Sequence, residues 1–130
     1  MHRFTTIEVA MSVQGIHRWP GVPVDSKVGF LGNPHRHLFK ITVEIEVSHD
    51  NRQLEFFQVQ EQITRVLRES YSHDGLSFDF IHHSCEMVAV EVLDGLAAVL
   101  DLHDTQMTVA VSEDGENAGK AYQLHEASKQ

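Results

Sequence analysis

Cysteine is almost absent from this chain: Cys85 stands alone among 130 residues. No intrachain disulfide can form, which agrees with a reducing compartment. Long apolar runs are missing too. No stretch approaches the roughly 18 residues that mark a membrane span, and Met1 to Phe4 lacks the basic-then-apolar build of a signal peptide. The expectation is a cytoplasmic protein with no membrane partner. Positive charge is scarce, with 10 Lys and Arg against 19 Asp and Glu and a net charge of −9. Phosphate backbones are bound by clustered Lys and Arg, so nucleic acid is set aside as the main partner. Repeats, low-complexity tracts and linkers are absent. What remains is an ordinary globular composition, 42% hydrophobic and 22% charged, enough for one domain with a real core.

Hydrophobic periodicity divides the chain into elements. From Ile7 to His17 the odd positions Ile7, Val9, Met11, Val13 and Gly15 alternate with Glu8, Ser12 and Gln14, the period of a strand with one buried face. Proline and glycine then punctuate a loop between Pro20 and Pro34. A second strand runs from His35 to Val47, where Phe39, Ile41, Val43, Ile45 and Val47 alternate with Lys40, Thr42, Glu44 and Glu46. Val59, Ile63, Val66 and Leu67 share a helical face. Ser84 caps a second helix, whose apolar side carries Ala89, Val92, Leu93, Leu96 and Leu100. A third strand is expected from about Thr105 to Glu113, and a short fourth around Tyr122 to Leu124. The order strand, strand, helix, helix, strand, strand predicts an α+β fold: an antiparallel four-stranded sheet with two helices on one face. Residues 1–126 make a single domain, and 127–130 are expected to fray as a tail.

Ten histidines are many for this length, and the positions of three of them matter most. In His35-Arg36-His37 two rings lie two residues apart on a strand, so both leave the same face. Their parity matches Phe39, Ile41 and Val43, which puts them on the buried side. His17 ends the first strand with the parity of Ile7, Val9 and Val13. Three imidazoles aimed into one shielded space are either hydrogen-bonded core residues or the ligands of a zinc ion with an open fourth position. Open coordination lets a metal polarise a substrate oxygen.

Several segments then fall in a recognisable order. Gly15-Ile16-His17-Arg18 precedes Pro34-His35-Arg36-His37-Leu38-Phe39-Lys40-Ile41; Leu54-Glu55-Phe56 opens the first helix; Tyr71-Ser72-His73-Asp74-Gly75-Leu76 follows it. Ser84-Cys85-Glu86-Met87-Val88-Ala89 opens the second helix, and Val111-Ser112-Glu113 closes a late strand. Over about residues 7 to 117 this series resembles the 6-pyruvoyl-tetrahydropterin synthase / 6-carboxytetrahydropterin synthase family: its first-strand histidine, its H-G-H-x-[YF]-x-[VI] strand, its V-x-D-F, L-D-H-x-x-L and P-T-x-E-N-[IV]-A segments, and its pterin-anchoring glutamate. The resemblance implies the tunnelling fold, in which trimers close a barrel and two trimers stack into a hexamer with active sites between subunits. It implies zinc on His17, His35 and His37, contacting the substrate side chain. It implies that Glu113 and Glu86, with Cys85 beside them, meet the 2-amino-4-oxo edge of a pterin, and that His73 with Ser72 stands at the acid–base position. A carboxylate accepts two parallel N–H bonds from such an edge, which supplies both strength and orientation. By parity Glu113 is expected to be a buried carboxylate in need of a partner. Glu86 sits in a first helical turn, where a carboxylate is favoured by the helix dipole whether or not a ligand is present.

The chain departs from the family pattern at its proton-transfer groups. Where the synthases carry a cysteine ahead of H-G-H, this sequence has Leu31, and no Asp, Glu or Cys occurs between Lys27 and His35. Leucine neither gives nor takes a proton. The family's Asp-His pair reads Ser72-His73, and the middle glycine of H-G-H is Arg36. A structural zinc protein with no small ligand is argued against by the retained Glu113, and two further functions are weighed. One is a zinc-dependent lyase-type enzyme acting on a dihydropterin such as dihydroneopterin triphosphate. The other is a pterin- or purine-binding homo-oligomer whose catalysis is impaired.

Overall fold

The computed structural model describes residues 3–125. β1 spans Thr5–His17 and β2 spans His35–Val47, paired antiparallel along their whole length from Thr5↔Val47 to His17↔His35. The loop between them holds one 3-10 turn, Gly29–Gly32. Then come α1 (Phe56–Ser70), β3 (Phe78–Asp79), α2 (Cys85–Val99), β4 (Met107–Glu113) and β5 (Asn117–Gln123).

The sheet has five strands in the order β3-β1-β2-β4-β5, and it is mixed. This corrects the expectation of four antiparallel strands. β3 runs parallel to β1 through Gly15↔Phe78 and Ile16↔Asp79. Two residues are too few to display a period of two, so no sequence pattern marks them. β5 also begins at Asn117 rather than near Tyr122, because Asn117, Gly119 and Lys120 break up the apolar alternation. The tail expected at 127–130 lies outside the described residues.

The odd residues of β2 explain why it sits at the centre. Phe39, Ile41, Val43 and Ile45 are 0–1% exposed, while Arg36, Leu38, Lys40 and Glu44 face outward. Each such apolar side chain contributes about 1.5–3 kcal/mol on burial. Val59, Ile63 and Leu67 of α1 and Val88, Ala89, Val92 and Leu96 of α2 close over the same face, with Val109 and Val111 of β4, in one core. Both helices thus cover one side of the sheet, as expected. Glu55 caps α1 by accepting from the backbone N–H groups of Phe57 and Gln58, and the Ser84 hydroxyl caps α2 by accepting from Met87 N–H at 3.2 Å. Among the described residues no helix is long and apolar enough to cross a membrane.

Two glycines let elements close up at one end of the sheet. A Cβ at Gly15 would stand 2.5 Å from the Phe80 ring and 2.6 Å from the Phe39 ring. A Cβ at Gly119 would stand 2.5 Å from the backbone nitrogen of Glu86, so the start of α2 lies directly against β5. At that end β1 stops at His17, β2 starts at His35, β4 stops at Glu113 and α2 starts at Cys85.

Candidate metal centre and ligand cavity

Strand register gathers the three histidines. His17 pairs directly with His35, and His37 pairs with Gly15, two residues back along β1 on the same face. Ring centroids are 4.6 Å apart for His17 and His35, 4.9 Å for His35 and His37, and 5.3 Å for His17 and His37. Each residue offers one ring nitrogen, and these atoms all lie within 4.8 Å of one another.

Surrounding groups orient two of the rings. His35 Nδ1 lies 2.8 Å from the Asn33 carbonyl and His37 Nδ1 lies 2.7 Å from Asp114 Oδ2. With each Nδ1–H donated to an oxygen, each Nε2 keeps its lone pair. This is the outer support that metal-bound histidines carry. His17 is mostly shielded, its side chain 12% exposed. Burial pulls its pKa below the ordinary histidine value despite the opposing pull of Glu113, and His35 and His37 lower it further. His17 Nε2 lies 2.9 Å from Glu113 Oε1. Three imidazoles with ligand nitrogens this close together fit zinc in donor type and in number.

Glu113 corrects the expectation drawn from parity. Its side chain is 36% exposed, and it already has partners: Oε1 meets His17, Oε2 lies 3.6 Å from His37 Nε2, and the Cys85 thiol reaches Oε1 at 3.9 Å. Parity placed it on the core face, but β4 ends there and the face opens into a cavity. The cavity has a volume of about 570 Å³, and His17, His35, Cys85, Glu86 and Glu113 share its wall with Leu31. Leu31 thus faces the ligand space, an apolar group where the resemblance calls for a thiol. Cys85 does not replace it. Burial first, then the nearby charges of Glu113 and Glu86, push its thiol up to about 12. At neutral pH it is a neutral hydrogen-bond donor.

Ser72 and His73 stand elsewhere within the chain. They lie on the turn between α1 and β3 and line a separate cavity of about 240 Å³ with Asp74 and Asp79. His73 Nδ1 accepts the Gly75 N–H at 3.0 Å, and the ring stacks edge-on against Phe78 at 4.5 Å. These contacts, rather than Ser72, orient the imidazole. Asp74 spends its carboxylate on the backbone N–H groups of Leu76 and Ser77, which hold it below the ordinary carboxylate range, Ser77 contributing most.

Three residues of this region escaped sequence reasoning. His82 and His83 line the larger cavity from the segment before α2. Asp114 follows Glu113 in a turn with φ 56° and reaches back to β2, accepting Leu38 N–H as well as holding His37. Its Asp-Gly dipeptide signals a hairpin turn, but not which strand the carboxylate meets.

No protein-family model matches the chain, and no curated protein sequence matches it. Solved structures do. A 6-pyruvoyl tetrahydropterin synthase from Caenorhabditis elegans superposes with a TM-score of 0.64 at 17% identity, covering 94% of this chain and 97% of that one. A catalytic-residue mutant of the Plasmodium vivax 6-pyruvoyltetrahydropterin synthase gives 0.62 at 12% identity, covering 94% and 99%. The Plasmodium falciparum 6-pyruvoyl tetrahydropterin synthase gives 0.58 at 11%, covering 91% and 98%. In backbone and element order, this chain has the fold of the 6-pyruvoyl tetrahydropterin synthases.

Proposed function

We propose that the chain is a zinc-dependent enzyme of the 6-pyruvoyl-tetrahydropterin synthase type, acting on a dihydropterin with a three-carbon side chain. The observation that carries this reading is the juxtaposition of His17, His35 and His37 with Glu113, three of which, His17, His35 and Glu113, line one cavity. The three imidazoles would hold zinc, which supplies Lewis-acid polarisation of a side-chain oxygen when bound. Glu113 and Glu86 accept the N–H groups of the pterin edge, and the Cys85 thiol holds Glu113 in place by donating to it.

His73 enters this reading through assembly. In one chain it lines a different cavity, so its acid–base role requires a neighbouring subunit to carry it to the zinc site. The sheet supports assembly, because β5 is an edge strand and β3 pairs with only two residues of β1, leaving backbone N–H and C=O groups open for pairing. A hexamer in the cytoplasm is the state proposed. Light scattering at micromolar concentration should give a multiple of the chain mass; a monomer would sink the intersubunit site.

A second reading, a pterin- or purine-binding oligomer with impaired catalysis, is favoured by Leu31 on the cavity wall and by the inert Cys85 thiol. Turnover of dihydroneopterin triphosphate by zinc-loaded protein separates the two. Product formation supports the enzyme, and binding without product supports the impaired oligomer.

A further inference from the structure

We infer that His83 is the proton-carrying side chain of the ligand cavity, filling the role that Leu31 leaves vacant; this rests on the pterin reading above. The argument begins by elimination among the groups on the cavity wall. His17 and His35 belong to the metal centre, and Glu113 is engaged with His17 and His37. Cys85 is a buried thiol that donates to Glu113. Glu86 is reserved for the pterin edge, the Arg18 guanidinium does not release its proton, and the Ser84 hydroxyl caps α2. Two imidazoles remain, His82 and His83.

Of these two, His83 is the one the fold holds in place. Its backbone N–H donates to the Phe80 carbonyl at 2.9 Å, and its ring packs edge-on against Tyr71 at 5.0 Å, interplanar angle 85°. Tyr71 is itself 7% exposed. The next residue is Ser84, the cap of α2. His82, in contrast, is exposed.

The ring of His83 also differs from those around it in one respect. His35, His37 and His73 each have Nδ1 committed to a named partner. His83 Nδ1 is buried and has no hydrogen-bond partner among the described residues. A buried polar atom without a partner is uncommon and calls for a reason. With Nδ1 shut in against the protein, Nε2 is the nitrogen left to meet a ligand in the cavity that His83 lines. Imidazole is the side chain suited to proton transfer near neutral pH. In the step assigned to it, a proton leaves a carbon or hydroxyl of the pterin side chain and goes to the imidazole. The bonding electrons stay on the ligand, and the proton returns to a neighbouring atom of the same side chain. The change in this one step is a tautomerisation of the side chain that needs no oxidant or reductant; release of the triphosphate is a separate elimination, in which the C–O bonding electrons leave with the phosphate.

The test uses zinc-loaded full-length protein, with dihydroneopterin triphosphate as substrate and a simple pterin as binding probe. H83Q should lower kcat by about 10²–10⁴-fold, with KM and pterin affinity within roughly threefold of wild type. H83A should recover part of its rate when free imidazole is added, and H103Q, on the exposed α2–β4 connection, should behave as wild type. A readout independent of turnover uses metal-free protein: diethyl pyrocarbonate should modify His83, mapped by mass spectrometry, and pterin should protect it. Unchanged kcat in H83Q, or parallel loss of kcat and pterin affinity without imidazole rescue, overturns the inference and leaves the pterin reading standing. Wild-type protein that binds pterin without turning substrate over also overturns it, while wild-type protein that does neither brings down both.

Discussion

Asp114 Oδ2 lies 2.7 Å from His37 Nδ1, across 77 residues of chain, and the same carboxylate accepts the Leu38 N–H at 3.0 Å. The Asp114 backbone N–H returns a bond of 2.7 Å to the Leu38 carbonyl. The β4–β5 turn is thereby fastened to the strand that carries two of the three histidines. The proposed metal centre and the proposed pterin anchor Glu113 share one support.

Metal binding should reveal that support. Purified protein should carry about one zinc per chain, and H35A or H37A should lose most of it. D114N should keep the fold but weaken zinc binding by about 10–100-fold, the usual effect of removing an outer-shell carboxylate. Competition with a chromophoric chelator measures all three. Unchanged zinc content in both histidine variants would show the site to be wrongly assigned.

Asp114 also sets an acid dependence. Its carboxyl is held below the ordinary carboxylate range, first by the His37 hydrogen bond and then by Leu38 N–H. A depressed pKa means that the folded state binds the proton less readily than the unfolded one. The stabilisation is present at neutral pH and is lost as pH falls below about 4. Denaturant titrations of metal-free wild type and D114N should therefore converge in acid and separate above it. Parallel curves across that range would count against this bond.

Cys85 should be silent toward alkylation. With its thiol pushed up to about 12 and the residue buried, thiolate is nearly absent at pH 8. Iodoacetamide should label the native protein far more slowly than the same protein in denaturant. Equal rates in the two states would place Cys85 in solvent, contrary to its position under Glu113.

Gly15 carries a packing requirement next to the metal centre. Valine there would drive a Cβ into the Phe80 and Phe39 rings, already 2.5 Å and 2.6 Å from that point. Overpacking of this kind destabilises by about 1–3 kcal/mol, and because Gly15 pairs with His37, zinc affinity should fall with stability. Denaturation midpoints and metal titrations should move together; stability lost with zinc binding intact would separate core packing from ligand geometry.

Glu113 and Leu31 divide binding from turnover. Removing a charged hydrogen-bond partner forfeits about 1.5–3 kcal/mol, so E113A should weaken a simple pterin by roughly tenfold or more, a decade per 1.4 kcal/mol. L31C should leave pterin affinity nearly unchanged and, with His83 carrying the proton, should leave turnover near wild type; a large gain in rate, alone or with S72D, would show the role at Leu31 to be vacant. Calorimetry and a product assay read the two effects. A wild type as fast as the double variant would show that the chain already holds a competent proton carrier.

Much of this architecture is legible in local pattern. Alternation in β1 and β2 is a property of a few neighbouring residues, and it assigns His17, His35 and His37 to the face of Val9, Ile41 and Val43 before any contact is known. The apolar stripe of α1 and the Ser84 cap of α2 are equally local. What the tertiary structure decided are the distances and partners. β3 exists only because Phe78 and Asp79 find Gly15 and Ile16, a pairing too short to leave a period. Parity put Glu113 on the inner face, but the strand's end opens that face, giving the carboxylate imidazole neighbours and partial exposure. His73 and His83 lie ten residues apart on one connection, yet they line different cavities. A strand's period specifies which side a residue takes; which groups meet there depends on register and loop path, and these are set by the packing of the whole core.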